Sequence, residues 1–271
     1  MSSATYAAPL LPPTPPPRER VLRDLLRQSG RGIVPIRKTF VQIGRGSSTR
    51  PGPLAGLVRR HDARGLDAYL LVHALASGGD YSCEYPAAVW ARALGFDESA
   101  TGSAALGAVS KVMKRLDEDH RLIARTRRRR RAVVTLLEED GSGEEYRHPH
   151  KLNEQWLRLP HAYWLDGHHD RLSLPAKAIL LIALSLNDGF ILPVEKAPQW
   201  YGLSADTATR GLQELRDARL LSVAISWDLN YRSSTFHVEK RKYTLTGAFS
   251  KAEQERAANA RAVKEKQKGS V

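Results

Sequence analysis

The residue types best suited to chemistry lie at residues 204–221, which read SADTATRGLQELRDARLL. Ala208, Leu212 and Leu215 recur there at the spacing of one helix face. The polar residues between them carry hydroxyl, amide and guanidinium groups, which hydrogen-bond to base edges in the DNA major groove and to phosphates. These candidates are Ser204, Thr207, Thr209, Arg210, Gln213 and Arg216. The pattern predicts an amphipathic helix, N-capped by Ser204, whose outer face contacts nucleic acid.

The same pattern occurs a second time, earlier in the chain. Lys111 corresponds to Arg210 at an offset of 99 residues, and the neighbouring apolar positions keep that offset. Gly95 corresponds to Gly202 at an offset of 107, so the first copy has about eight extra residues near 97–102, where a loop accommodates them. Ser103 is the expected N-cap of this copy. The exposed candidates of the first copy are Ser103, Ser110, Lys111, Lys114 and Arg115.

A run of arginines follows the first copy. Residues 122–126 and 132–137 have strand character and flank the run, which predicts a β-hairpin. Arginines on a hairpin can cross a phosphate backbone or enter a minor groove, although alternate side chains face opposite sides. A solvated charge run is the alternative. The candidates are Arg125, Arg127, Arg128, Arg129, Arg130 and Arg131.

The remaining elements are predicted from hydrophobic spacing and from turn residues. Helices are expected at 18–28, 66–76, 86–94, 103–120, 175–186, 195–201 and 204–218. Strands are expected within 33–43 and 156–164, and a second hairpin at 221–228 and 236–245. The helix at 18–28 is amphipathic and is expected to dock on the first unit. Residues 251–268 are expected to form a fraying helix or a disordered tail.

This order of elements resembles the winged helix-turn-helix fold at residues 66–137 and 174–245. We therefore expect an α+β, mostly helical chain with two winged helix-turn-helix domains in tandem. The expected division is a Pro-rich arm with a short helix (1–30), a first domain (31–140), an acidic, Gly-rich boundary and linker (141–154), a second domain (155–246) and a charged tail (247–271). Two such domains resemble the plasmid replication initiators, and the resemblance implies that one chain grips successive major grooves of a repeated site.

Composition limits the class of partner. The chain of 271 residues has a formal net charge of +13, which favours nucleic acid or an anionic membrane as a partner. No apolar run reaches the roughly 18 residues of a membrane span, and no signal peptide is expected. Cys83 is the only cysteine, which indicates a reducing compartment. We expect a cytoplasmic, nucleoid-associated protein that binds double-stranded DNA and no membrane.

The chain offers no credible catalytic set, and no enzyme activity, metal or cofactor is expected. Five of the nine histidines lie within 147–170, where a metal site and surface histidines are the alternatives: His148, His150, His161, His168 and His169. The five tryptophans, Trp227 among them, are expected to pack in the core.

Two alternatives to a replication initiator remain open. One is a transcriptional regulator with the same fold. The other is a structural or protein-interaction module, in which the basic surface meets an acidic protein. For the second unit alone, the alternative to DNA binding is a dimerisation or docking domain with a degenerate helix. Glu214 on that helix is expected to weaken DNA contact. Partners beyond DNA are then a second copy of the chain or proteins of the replication or transcription machinery.

Overall fold

The chain is an α+β structure, and its described residues form helices and four small antiparallel sheets. The computed structural model describes residues 16–44, 46–96, 102–129, 131–148, 155–229, 231 and 236–268. The helices are α1 (Arg18–Gln28), α2 (Leu54–Arg59), α3 (Ala63–Leu75), α4 (Ala87–Ala93), α5 (Gly102–Lys114), α6 (Ala162–Leu165), α7 (His168–Arg171), α8 (Leu174–Ser185), α9 (Ala197–Tyr201), α10 (Ala205–Asp217) and α11 (Lys251–Lys268). None of those in the described ranges has both the length and the apolar character needed to cross a lipid bilayer.

The strands form short antiparallel sheets. They are β1 (Ile33–Arg37), β2 (Gln42–Ile43), β3 (Arg50–Pro51), β4 (Ser82–Cys83), β5 (Ile123–Arg128), β6 (Arg131–Leu136), β7 (Trp156–Pro160), β8 (Leu221–Leu229) and β9 (His237–Leu245). The sheets are β1–β7, β2–β3, β4–β6–β5 and β8–β9.

The first unit, residues 63–136, places three helices against a hairpin. Asp62 caps α3 by accepting a hydrogen bond from the Gly65 N–H. Strand β4 pairs with β6, which also pairs with β5, so a short strand after the first helix lies beside the hairpin. Helix α5 continues into one π-helical turn at Arg115–Asp119 before β5 begins.

The second unit, residues 174–245, has the same order of elements. Ser173 caps α8 and Ser204 caps α10, each through its side-chain oxygen. Phe190 forms a single bridge to Tyr243 of β9, at the place that β4 occupies in the first unit. A three-residue turn joins α9 to α10 and starts at Gly202, whose φ of 65° suits glycine.

The two units share one hydrophobic core. Strand β1 packs on α3 and its partner β7 packs on α8, so this sheet rests on the first helix of each unit. Lys177 of α8, which is buried, forms an ion pair at 2.7 Å with Asp67 of α3, which is partly buried. Helix α1 packs on α3, α4 and α6, and its leucines are buried, which confirms the expected docking on the first unit.

One expectation is corrected, one helix is new, and of the two alternatives for residues 251–268 the structure has the helix. Ser103 is not an N-cap, because α5 begins at Gly102 and includes it. Helix α2 was not anticipated; its six residues are too few for a periodic signal, and Leu54 and Leu57 are nonetheless fully buried. Residues 251–268 form helix α11, whose Gln254 is buried against the backbone carbonyls of Phe249 and Arg158. The N-terminal arm up to residue 15 lies outside the described residues.

The acidic segment after β6 contains buried carboxylates. Glu139 is fully buried and accepts hydrogen bonds from the Arg37 backbone N–H at 3.0 Å and from its guanidinium at 2.6 Å. Glu138 lies 3.2 Å from the same guanidinium. Burial alone would raise the pKa of Glu139, but contacts with His73 and Arg37 outweigh it and hold the pKa below its usual value. Through Arg37, these carboxylates hold the segment after β6 against β1.

Candidate nucleic-acid interface

The outer face of α10 carries the polar residues expected there. Thr209, Arg210, Gln213 and Arg216 are exposed, whereas Leu212 is buried on the opposite side. Arg210 forms an exposed ion pair with Asp206 at 2.9 Å, one turn earlier. Exposed pairs of this kind contribute little to stability, so their partners can exchange for a ligand at small cost.

Other contacts on α10 place its remaining candidates. The Ser204 hydroxyl accepts a hydrogen bond from the Thr207 N–H at 3.0 Å and contacts the Thr207 hydroxyl at 2.8 Å. Thr209 donates its hydroxyl to the Ala205 carbonyl. Gln213 donates to Asp217 at 2.8 Å. The formal charges on this face balance, so it supplies hydrogen-bonding groups more than net attraction for phosphate.

Helix α5 presents a more basic face. Ser103, Ser110, Lys111 and Lys114 are exposed, as expected. Lys114 lies 3.5 Å from Glu118 in an exposed pair. The apolar positions Val109, Val112 and Met113 are buried, so the helix is amphipathic, with one face in the core and one face exposed to solvent.

Arg115 does not join that face. Its guanidinium donates two hydrogen bonds to Asp62, at 2.8 and 2.7 Å. Burial alone would raise the pKa of Asp62, but the bonds from Arg115 and Gly65 outweigh it and hold the pKa below its usual value. Arg115 thus holds the end of α5 against the cap of α3, while its side chain stays 38% exposed.

Glu214 occupies the corresponding position in the second unit, 99 residues later. It accepts hydrogen bonds from the Ser173 N–H at 2.7 Å and from the Ser173 hydroxyl, at the cap of α8. In both units, therefore, this position binds the N-cap residue of the first helix, with opposite charge. The carboxylate faces α8, which gives no reason for it to oppose DNA at the outer face.

The arginine hairpin distributes its side chains as strand alternation requires. Arg125 lies 2.9 Å from Asp117 at the end of α5 and is only partly exposed. Arg128 and Arg131 are directly paired across the strands and lie near two acidic residues that flank β4, Asp80 at 3.7 Å and Glu84 at 3.5 Å.

Two arginines of the run extend into solvent. Arg127 and Arg129 are exposed, and within the described ranges neither has an acidic partner. Arg129 adopts a positive φ of 47° at the turn. Arg130 lies outside the described residues. The hairpin therefore offers at least two arginines for an anionic partner, while Arg125 serves mainly to hold it against α5.

The second hairpin differs in chemistry from the first. Trp227 is 63% exposed, so the expectation that every tryptophan packs in the core is wrong for it. Ile225 and Leu229 lie on the same face and are 56% and 57% exposed. The alternation of apolar residues along β8 indicates such a face, but a period of two does not say whether anything covers it.

The histidines are dispersed. Within the described ranges, no group of three or more His, Cys, Asp or Glu side chains could hold a metal ion. His161 and His169 are buried, and His150 lies outside the described residues. Comparison of the chain with protein-family models, curated proteins and solved structures finds no match.

Proposed function

We propose that the chain is a sequence-specific double-stranded DNA-binding protein built from two winged helix-turn-helix units, of the kind found in replication initiators. The supporting observation is the repeated arrangement of three helices and a hairpin, in which the third helix faces solvent with its polar side. A helix exposed in this way fits the major groove, and the two-stranded hairpin beside it lies where a backbone contact forms.

The equivalence of Arg115 and Glu214 adds support. Each side chain bonds to the cap of the first helix in its own unit. A shared contact at a shared position favours two copies of one architecture, because unrelated bundles have no reason to repeat it. In the proposal, α5 and α10 enter two grooves roughly one helical turn, or about 10 base pairs, apart.

The two units have different roles in this proposal. Arg127 and Arg129 supply phosphate contacts, whose strength depends on salt and not on sequence. Thr207, Arg210 and Gln213 on the charge-balanced face of α10 read base edges. Affinity then comes mainly from the first unit and discrimination mainly from the second.

A protein-interaction role for the second unit is the other candidate. The observation that favours it is the row of exposed apolar side chains on β8, Ile225, Trp227 and Leu229, which carries no charge to attract a phosphate backbone. The two roles are compatible, because the outer face of α10 and the hairpin face are distinct surfaces.

The test is selection of bound fragments from the genome of the source organism at about 0.15 M salt, where nonspecific binding is already weak. We expect recovery of one or a few loci with a repeated site. Loci at a replication origin identify an initiator, and loci at promoters identify a regulator. Uniform, weak recovery would reject sequence-specific binding.

A variant pair sharpens the test. Arg210→Ala should relax the preference at one position of the site, at a cost of about 1–3 kcal/mol there. Arg27→Ala removes the same charge from an exposed position on α1, outside the proposed interface, and should leave the preference unchanged. Equal effects of the two substitutions would contradict base reading by α10.

A further inference from the structure

The outer half of the β8–β9 hairpin leaves a row of large apolar side chains in water. On one face Ile225, Trp227 and Leu229 continue the line of the buried residues at the base of the hairpin. Nothing among the described residues covers them. Soluble proteins seldom expose contiguous apolar surface of this kind unless it meets a partner, and a two-stranded hairpin without further support is only marginally stable in water.

The same residues present their backbone groups at an open edge. Tyr243 donates its N–H to the Phe190 carbonyl, so its polar backbone groups point away from β8. Val223 is paired opposite Tyr243, and in an antiparallel ladder the inward and outward pairs alternate. The N–H and C=O groups of Val223, Ile225 and Trp227 therefore point away from β9, along the free edge of β8.

That edge lacks the features that usually protect one. Natural edge strands carry Lys, Pro, inward charges or bulges that prevent pairing with another chain. β8 reads LSVAISWDL, with Asp228 near its end as its one charged residue, whereas β9 reads HVEKRKYTL. The cations of the hairpin are on β9 and not at this edge: Arg241, opposite Ile225 on the same face, pairs with Glu239, and Lys240 pairs with Asp228 on the other face.

We propose that β8 pairs antiparallel with β8 of a second copy of this chain about a two-fold axis. The result is a four-stranded sheet in the order β9–β8–β8–β9, in which the apolar side chains of the two β8 strands adjoin at its centre. A two-fold contact places the same strand on both sides, and antiparallel pairing satisfies this symmetry. The inference goes beyond the proposed function and does not depend on it.

Charge selects this occupant over nucleic acid. The chain carries a net charge of +13, so two copies repel least where they meet at a surface poor in cations. The edge of β8 is such a surface, because the cations of the hairpin lie on β9. A nucleic acid strand at that edge would find no cation of β8 to meet its phosphates.

The test is sedimentation velocity of the full chain without DNA, from about 1 to 100 μM, a range that covers weak to moderate dimers. We expect a reversible dimer. Ile225→Lys should raise its dissociation constant at least about tenfold, because it places a charge on the edge and face that pair. Ala224→Lys is the matched control: it adds the same charge to the same strand, on the opposite face and with its backbone groups directed at β9, and should have little effect.

A second pair of variants tests the backbone contact itself. Ile225→Pro removes the outward N–H, which an edge position tolerates, and Ile225→Thr removes similar apolar surface while keeping that donor. The proline variant should dissociate more than the threonine variant, with unchanged thermal unfolding of the monomer. A monomer at every concentration, or equal responses within either pair, would overturn the proposal.

Nucleic acid as the true occupant gives a different result. Quenching of tryptophan fluorescence by a single-stranded oligonucleotide that is lost in Trp227→Phe, with the chain monomeric throughout, would also overturn the proposal. Selection of genomic fragments reports on the proposed function separately. A dimer that recovers no specific locus would reject that function and leave the β8 pairing intact.

Discussion

Arg115 and Glu214 stand on the outer helices of their units, yet both turn towards the N-terminus of a neighbouring helix. Arg115 donates its guanidinium hydrogen bonds to Asp62, an acidic cap residue. Glu214 accepts a hydrogen bond from the hydroxyl of Ser173, the cap residue of the other unit. In each unit, the side chain at the corresponding position suits the cap residue that it contacts. Nothing in the local sequence reveals this, because the partners are 53 and 41 residues apart.

Replacement of Glu214 by alanine should therefore reduce stability. The Ser173 cap loses an acceptor for its N–H and hydroxyl, at a cost of about 1–2 kcal/mol. Urea denaturation measures the loss, and DNA affinity at fixed salt measures the competing idea that Glu214 repels DNA. A gain in affinity without a loss of stability would contradict the assignment.

His169 should make stability depend on pH. It is buried near Asp170, Arg18 and Lys177, and burial lowers its pKa to about 4. The unfolded chain, with an ordinary pKa near 6.5, binds this proton first as the pH falls. Stability should therefore decline between pH of about 6.5 and about 4, by at most about 1.4 kcal/mol per pH unit from this group.

The measurement is the free energy of unfolding across that range for His169→Gln, which should flatten the decline. His61→Asn is the control, since His61 is exposed and its positive φ of 53° suits asparagine. Equal slopes in the wild type and His169→Gln would show that this histidine does not set the dependence.

Helix packing separates two glycines that look alike in the sequence. Both lie inside outer helices, Gly107 in α5 and Gly211 in α10. A Cβ at Gly211 would lie 2.6 Å from the Pro175 carbonyl oxygen and 2.6 Å from Ile179. A Cβ at Gly107 would meet nothing within 4 Å.

Alanine at these two positions should have opposite effects. Gly211→Ala must push α10 away from α8 and should destabilise by about 1–3 kcal/mol. Gly107→Ala should stabilise by about 0.5–1 kcal/mol, since alanine favours the helix. Thermal unfolding of both variants measures these effects. A change in stability of the same sign in both variants would contradict the packing described for α8 and α10.

The arginine hairpin should govern the salt dependence of DNA binding. If Arg127 and Arg129 each contact a phosphate, replacing both with alanine should weaken binding to every sequence and reduce the slope of log affinity against log salt by about 2. Arg23→Ala with Arg27→Ala removes two exposed charges from α1 and should leave the slope nearly unchanged. Equal slopes for the two double variants would place the phosphate contacts elsewhere.

The sequence predicts elements where spacing and caps agree. α1 begins and ends as expected, because its leucines recur on one face. α10 begins after the Ser204 cap, and β8 and β9 lie within one residue of their predicted limits. The exposed face of α10 was predictable for the same reason. Exposure of Trp227 was not, because it depends on the absence of a covering element, which is a tertiary property.

The whole molecule holds its two units together with buried charge as well as apolar surface. The ion pair of Lys177 with Asp67 crosses between the units, and Tyr163 donates its hydroxyl to the same carboxylate at 3.1 Å. Burial raises the pKa of Asp67, opposed by Lys177 and Tyr163. The division into domains remains a prediction, because this contact and the β1–β7 sheet join the units across one core.

Removal of one charge from this pair should be severe. Lys177→Met leaves the partly buried Asp67 without its cation and should cost up to about 3 kcal/mol, the lower end of the range for a buried pair. Lys177→Met with Asp67→Asn removes both charges, keeps an acceptor for Tyr163 and should recover much of the loss. Urea denaturation of the single and double variants measures the coupling, and additive effects would contradict a direct pair.

The pairing of β1 with β7 has a consequence during synthesis of the chain. Ile36 of β1 pairs with Leu157 of β7, which the ribosome adds roughly 120 residues later. At about 5–20 residues per second the delay is on the order of ten seconds. In that interval the first unit can fold against Val34 and Ile36 of β1, but β7, the strand that completes their sheet, has not yet been synthesised. We therefore expect ribosome-bound chains stalled before residue 156 to bind a chaperone, and chains that extend beyond residue 160 to bind it less.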